Sequence, residues 1–183
     1  MKPVLMIHKV HDWMFDLPLE DYILTFDDGL YSQYHYYPQF KQFNTEKIYF
    51  ISSGIVSSGE QSSEFPESQI AHNKAAVGNF EDYMTVEQIR ELDRDPMVFI
   101  GGHGHDHLRL SEMDTMADKI RYINDDLHKM RMWFKENLGY YPDRFCYPHN
   151  DDLRGVYRAI VLSTGIHQTY GSERIPIETL LRV

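Results

Sequence analysis

The chain has 183 residues, a formal net charge of -10 and 42% hydrophobic residues, so it can bury a sizeable core. The acidic balance argues against non-specific nucleic-acid binding, which needs a basic surface. Its one cysteine excludes an internal disulfide and a thiolate zinc cluster. The sequence shows neither an apolar run of about 20 residues nor a signal-peptide pattern, so we expect a cytoplasmic protein without a membrane span.

Short apolar runs alternate with helical patterns, which predicts an α/β fold in a single domain over residues 1–183. The predicted strands cover residues 4–7, 22–26, 47–51, 97–100, 144–147, 166–170 and 174–177. Helices are predicted over residues 35–44, from Thr85 onward, and over 113–138 and 152–162. Two glycines, Gly101 and Gly102, are expected to break the fourth strand.

The clearest helix has apolar residues spaced alternately by three and four, a pattern that predicts a buried face. This stripe consists of Met113, Met116, Ile120, Ile123, Leu127, Met130, Phe134 and Leu138. Gly139 is expected to end the helix at its C′ position. Before it, Thr85 and Gln88 have the spacing of a capping box at the start of a shorter helix.

Residues 52–79 show no period and are rich in Ser, Gly, Glu, Gln and Asn. Loops of this length are uncommon and are usually functional or mobile. We therefore expect a long excursion near the functional site, with a disordered insertion as the alternative.

Two adjacent carboxylates follow the second predicted strand, in the segment LTFDDG at residues 24–29. They cannot both continue the alternation of a strand, so they should lie on the turn. There, one carboxylate can bind a metal while its neighbour acts as a base. An ordinary Asp-Asp-Gly turn is the alternative.

Three histidines alternate in GGHGHDH, residues 101–107. Imidazole is a common ligand of zinc and similar metals, so this density favours a metal site over a structural role. His103 and His107 are spaced i, i+4 and would meet on one helical turn, with His105 pointing elsewhere. An extended segment would instead place all three histidines on one face.

Further polar groups follow predicted strands in RFCYPHN, residues 144–150, and in LMIHKVHD, residues 5–12. In the first segment, a proline fixes the chain before His149, whose backbone N–H can stabilise an oxyanion. A plain strand-to-helix connection is the alternative. In the second segment, His8 ends an apolar strand, where a lone histidine is usually structural.

Together these residues supply the parts for metal-assisted hydrolysis of an amide or ester. Asp28, His103 and His107 would bind the metal and leave open positions on it. Asp27 would take a proton from the attacking water, and His8 could protonate the leaving amine.

Several segments resemble the NodB-type polysaccharide deacetylases, carbohydrate esterase family 4. TFDDG resembles the first family motif, in which the first Asp is the base and the second a metal ligand. HGHDH resembles H-[ST]-x-x-H, whose outer histidines bind the metal and match His103 and His107. KIYFISSG, YMTVEQIREL and ENLGYYPDRFCYPHN resemble further family segments in the same order. The resemblance implies a distorted (β/α) barrel, a divalent metal, usually zinc, and deacetylation of N-acetylated sugars.

The chain also departs from the family pattern. It lacks the late L-x-H motif of the acid histidine, but PVLMIHKV resembles the N-terminal strand of the circularly permuted exopolysaccharide deacetylases, which implies His8 as the acid. Gly104 replaces the Ser or Thr that braces the metal loop. Cys146 stands where one branch has Arg, and His149-Asn150 replaces Tyr-Gly. The Arg–Asp pair that tunes the acid in some members has no clear counterpart.

We therefore predict a metal-dependent carbohydrate deacetylase that hydrolyses the linear amide C–N bond of an N-acetylated sugar or oligosaccharide. The expected context is surface polysaccharide or O-antigen biosynthesis. The predicted catalytic residues are Asp27, His8 and His149. The predicted zinc ligands are Asp28, His103 and His107. The alternatives are a same-fold amidase or esterase for a non-sugar small molecule and a non-catalytic carbohydrate-binding descendant; the sequence predicts no oligomeric state.

Overall fold

A seven-stranded sheet organises the protein in a computed structural model, which describes residues 2–107 and 109–182. Its strands are β1 (Val4–Ile7), β2 (Ile23–Phe26), β3 (Lys47–Ile51), β4 (Val98–Gly102), β5 (Arg144–Cys146), β6 (Gln168–Tyr170) and β7 (Ile175–Pro176). The order across the sheet is β6-β5-β4-β3-β2-β1-β7, and every pairing is parallel. The central strand β3 is buried along its whole length, as expected when both faces of a parallel sheet are covered.

The sheet curls around the side chain of Arg174, which directly precedes β7. This side chain lies against Thr25 on β2, Phe50 on β3 and Cys146 on β5. Contact with three strands from one buried side chain requires a concave inner face. The predicted distorted (β/α) barrel is confirmed in the form of a partial barrel.

Helices connect the strands, with the bounds α1 (Tyr31–His35), α2 (Tyr37–Phe40), α3 (Ser68–Ala75), α4 (Val86–Leu92), α5 (Met116–Asn137) and α6 (Val156–Ser163). The capping box of Thr85 and Gln88 is present at the start of α4. Gly139, with φ +86°, follows α5 at the predicted C′ position. No helix within the described ranges has the length and apolar character needed to cross a bilayer.

Several predicted boundaries are wrong. The helix predicted over residues 35–44 is the pair α1 and α2, and α6 begins only after a short 3-10 turn at Leu153–Gly155. At the start of the α5 stripe, Met116 and Ile120 are exposed, because only the later part of this helix packs on the sheet. Strand β4 continues through both glycines. Gly102 is required for packing rather than for breaking the strand, because a β-carbon there would collide with Met130 on α5.

The segment 52–79 is not a structureless loop, because it contains α3. Ala71 on this helix is fully buried against Leu30 and Tyr83 in a small separate apolar cluster. The segment has too few apolar residues to show a helical period, so the sequence pattern did not predict this helix. Its packing places α3 over the turn that follows β2.

Parallel strands end at one edge of the sheet, and the polar segments identified in the sequence follow those ends. His8 follows β1, Asp27 and Asp28 follow β2, and His103 follows β4. The turn that contains His149 follows β5. The fold therefore brings the predicted site residues to a common edge.

Candidate active site

Asp28 faces two histidines of the loop after β4. Its Oδ1 lies 3.3 Å from His103 Nε2 and 3.2 Å from His107 Nε2, and the two Nε2 atoms are 3.2 Å apart. The carboxylate and the His103 ring are almost completely buried. Asp28 adopts φ +77°, which turns its side chain away from the direction taken by Asp27.

The hydrogen bonds of His103 fix the ring nitrogen that can bind a metal. Its Nδ1 lies 2.8 Å from the carbonyl oxygen of Cys146, which can only accept, so Nδ1 carries the proton. When the ring is neutral, Nε2 therefore presents a lone pair toward Asp28 Oδ1, which is also an acceptor. A cation between these two atoms, either a proton on Nε2 or a metal ion, would join them across the 3.3 Å separation in this buried site.

These three donors fit a divalent metal. Bonds of ~2.0–2.1 Å in a tetrahedral zinc site put neighbouring ligand atoms ~3.3 Å apart, which the observed separations match. Burial lowers the pKa of His107 to about 4, so its ring is neutral and can act as a ligand. A second group, formed by Asp27, His103 and Cys146, also has donor atoms within 4.8 Å of one another. It suits a metal less well, because the cationic guanidinium of Arg174 already occupies it.

The loop of His103 and His107 is a bend rather than the helical turn that the spacing suggested. Gly104 has φ +76°, and a β-carbon there would lie 2.8 Å from Asp126 Oδ2. Asp126, on α5, accepts the backbone N–H groups of His105 at 2.9 Å and Asp106 at 2.8 Å. This buried carboxylate therefore braces the loop in which Gly104 replaces the usual Ser or Thr.

We expect His105→Ala to retain the metal, because the His105 ring is engaged elsewhere. Its Nδ1 lies 2.9 Å from Ser53 Oγ, beyond the end of β3. Bound zinc per chain, measured by elemental analysis, should stay at the wild-type level in this variant and fall in His107→Ala. Equal zinc loss in the two variants would make His105 a ligand.

Asp27 forms a buried bidentate ion pair with Arg174, whose Nη1 and Nη2 donate to Oδ1 at 2.6 Å and Oδ2 at 2.7 Å. Burial opposes ionisation of this carboxyl, but the Arg174 guanidinium outweighs that effect and keeps the pKa of Asp27 below its usual value. Asp27 is therefore ionised at neutral pH. Its Oδ2 also lies 3.8 Å from His8 Nε2.

Sequence reasoning missed Arg174, which was assigned only to the start of a late strand. Its Nη2 lies 2.9 Å from Cys146 Sγ and donates to Asn150 Oδ1 at 3.0 Å. The guanidinium thus occupies the space beside Cys146, the position at which a related branch carries Arg. This Arg–Asp pair is supplied from a distant part of the chain and holds the predicted base Asp27, so it differs from the pair that tunes the acid in some family members.

His8 and His149 line the same cavity as the two aspartates. The buried amide of Gln33 donates to the carbonyl oxygens of His8 at 2.8 Å and Asp27 at 2.6 Å, which fixes the ends of β1 and β2 relative to each other. His149 has φ +56°, a costly conformation that clusters at functional sites. Its ring centroid lies 4.7 Å from that of His107.

A third histidine beside Asp28 was also missed. His72 on α3 has its Nε2 3.2 Å from Asp28 Oδ2, and Ser68 Oγ lies 2.5 Å from the same oxygen. Asp28, His72 and His107 have possible ligand atoms within 4.8 Å of one another. No motif announces His72, because it lies in the excursion that showed no period.

The cavity around these groups has a volume of about 90 Å³ and opens beside a larger one of about 260 Å³. His72, His107 and His149 line both. The larger cavity has several hydrogen-bonding side chains in its wall, namely Gln69, Asp106, Arg109 and Glu112. A substrate could therefore place its reacting bond in the small cavity and polar groups in the large one.

The paired carboxylates and histidines lie at the carboxyl edge of a curled parallel sheet, which is where (β/α) barrels carry their active sites. A family model described as polysaccharide deacetylase matches residues 18–168, and the chain belongs to this family. The predicted family is thus confirmed. No curated protein matches the chain.

Solved structures share the fold. IcaB from Ammonifex degensii aligns with a TM-score of 0.68 at 18% identity, covering 95% of this chain and 89% of its own. The BpsB deacetylase domain from Bordetella bronchiseptica aligns with a TM-score of 0.66 at 15% identity, and the alignment covers 96% of this chain and 94% of the BpsB chain. PplD from Streptococcus pyogenes, solved with acetate, aligns with a TM-score of 0.62 at 15% identity, and the alignment covers 99% of this chain and 96% of the PplD chain.

Proposed function

We propose that the chain is a metal-dependent hydrolase that removes the acetyl group from an N-acetylated sugar or oligosaccharide during surface polysaccharide or O-antigen biosynthesis. The observation that carries this proposal is the different surroundings of two adjacent carboxylates in one cavity. Asp27 pairs with a buried guanidinium, and Asp28 faces two imidazoles. This division suits a base beside a metal ligand.

Asp28, His103 and His107 would hold the divalent ion, and zinc suits two imidazoles with one carboxylate. When bound, the ion would supply Lewis acidity that polarises the acetyl carbonyl and lowers the pKa of water.

The protein's own groups would move the protons. Asp27 would accept a proton from the water that attacks the carbonyl carbon, and the backbone N–H of His149 would stabilise the oxyanion. As the C–N bond breaks, the nitrogen would take a proton from His8, so the products are acetate and a free amine. Acetate is also the molecule named in the PplD complex.

The wall of the larger cavity supports a sugar over an apolar amide. Its amide, carboxylate and guanidinium groups suit the hydroxyl groups of a carbohydrate. An apolar amide would leave these polar groups without hydrogen-bond partners.

We expect His8→Ala to keep its metal and lose most amide hydrolysis, while losing less activity toward an aryl acetate ester. An amine is a poor leaving group unless it is protonated, whereas a phenolate leaves readily. The competing proton donors are His149, His167 and His11. His167 is a weak competitor because it precedes β6, at the sheet edge opposite the site. His11 faces Glu67 instead, with its Nε2 3.9 Å from Glu67 Oε1. Burial lowers the pKa of His149, which makes its ring a poor source of the proton. Equal losses on both substrates would argue against His8 as the acid.

The proposal is tested with zinc-loaded protein on N-acetylglucosamine oligomers, an N-acetylated nucleotide sugar and a non-sugar N-acetyl amide. Released acetate and free amine are measured before chelation, after chelation and after zinc is restored. We expect zinc-dependent acetate release from a sugar substrate. Release only from the non-sugar amide would favour the amidase, and zinc binding without turnover on any substrate would favour a binding protein.

A further inference from the structure

We propose that α3 is a clamp on the metal-binding carboxylate, in which Ser68 and His72 hold Asp28 Oδ2 and leave Oδ1 to face His103 and His107. This inference rests on the proposed role of Asp28 as a metal ligand. Ser68 and His72 are positioning residues here, because they act through Asp28.

Both contacts come from one face of one helix. Ser68 and His72 are spaced i, i+4, and their side chains reach the same oxygen at 2.5 Å and 3.2 Å. The opposite oxygen, Oδ1, is the one that lies 3.2–3.3 Å from the two imidazole nitrogens. The carboxylate is therefore divided between two sets of partners.

The tautomer of His72 follows from its neighbours. Nε2 faces a carboxylate oxygen, which can only accept, so Nε2 carries the proton and donates it to Asp28. Nδ1 then accepts from the Tyr83 hydroxyl at 3.0 Å. A chain of hydrogen bonds thus runs from Tyr83 through His72 to Asp28.

The ring orientation argues against His72 as a metal ligand. The His72 and His107 rings are stacked, with centroids 4.2 Å apart and planes 10° apart. Imidazole lone pairs lie in the ring plane, so two parallel stacked rings cannot both point at one ion. The stack instead holds the His107 ring in place from the α3 side.

The helix is anchored to the turn that it clamps. Ala71 is buried against Tyr83 and Leu30, and Leu30 pairs with Tyr83 in an isolated β-bridge. The N–H of Met84 donates to the carbonyl oxygen of Gly29 at 2.9 Å.

Hydrogen bonds to metal-ligating groups tune metal affinity, typically by about 10–100-fold.

Zinc affinity, measured by competition with a chromophoric chelator, tests the clamp. We expect His72→Ala to weaken zinc binding by about 10–100-fold and Ser68→Ala to weaken it by about 10-fold. His72→Gln should recover part of the loss, because its amide can still donate to Asp28. The control is Asn73→Ala, an exposed position on the same helix, which should bind zinc like the wild type.

Further measurements distinguish a failure of the proposed clamp from a failure of the proposed metal site. Asp28→Ala should lose zinc; wild-type affinity in this variant would overturn the metal site itself. Zinc loss in Asp28→Ala together with unchanged affinity in Ser68→Ala, His72→Ala and His72→Gln would overturn the clamp alone. X-ray absorption of the zinc-loaded wild type should give two imidazoles, and three would make His72 a ligand instead. If His72→Ala is unfolded by thermal melting, Ser68→Ala and His72→Gln decide.

Discussion

Asp27→Asn is expected to lower the turnover of an N-acetylated sugar by about 10²–10⁴-fold with zinc content unchanged. The amide is nearly isosteric with the carboxylate but cannot take the proton from the attacking water. The metal should stay, because its proposed ligands are Asp28, His103 and His107. Steady-state turnover and zinc per chain, measured on the same preparation, check both parts.

The Asn variant also leaves Arg174 buried without its anionic partner, so a loss of fold could mimic a loss of base. Thermal melting of Asp27→Asn identifies that case, and the double variant Asp27→Asn/Arg174→Met removes the stranded cation. If the double variant is folded, binds zinc and stays inactive, the missing group is the base. Turnover near the wild-type level in either variant would place the base elsewhere.

The sequence predicted those parts of the site that follow from local patterns. Apolar runs that end in Asp27-Asp28 and in His103 mark the carboxyl ends of strands, and parallel strands bring such ends to one edge. The end of α5 was also predictable from a local pattern, because Gly139 terminates a strong helical period of apolar residues.

The missed parts depend on contacts between distant segments. Arg174 meets Asp27 across 147 residues of chain, and only the closing curl of the sheet brings them together. His72 lies on a short helix that is stabilised by Ala71 packing on Tyr83 and has little apolar pattern of its own. The helical turn expected for His103 to His107 was wrong because Asp126, on a remote helix, fixes that loop.

Arg174→Met is expected to lower the free energy of unfolding by about 3–5 kcal/mol, because it strands a buried carboxylate. The side chains of Arg174 and Asp27 are 0% and 3% exposed, so water cannot replace the lost guanidinium. Urea unfolding in the presence of a chelator measures the loss without a contribution from bound metal. Arg121→Met is the matched control, since its ion pair with Asp118 is exposed and should contribute less than about 1 kcal/mol.

The pH dependence of the stability lost in Arg174→Met separates the contribution of the Asp27–Arg174 ion pair from that of the packing of the Arg174 side chain. In the wild type the folded pKa of Asp27 lies below its usual value, so its stabilising contribution is present above the unfolded pKa of about 3.9 and is lost as the pH falls through the folded pKa. In Arg174→Met, burial without the cation raises the folded pKa above the unfolded one, so Asp27 destabilises the fold at neutral pH. Protonation removes this penalty, and the stability gap between variant and wild type should therefore narrow as the pH falls toward 4. A gap that stays constant from pH 7 to pH 4 would mean that Arg174 acts through its packing on Thr25, Phe50 and Cys146 and not through the charge of Asp27.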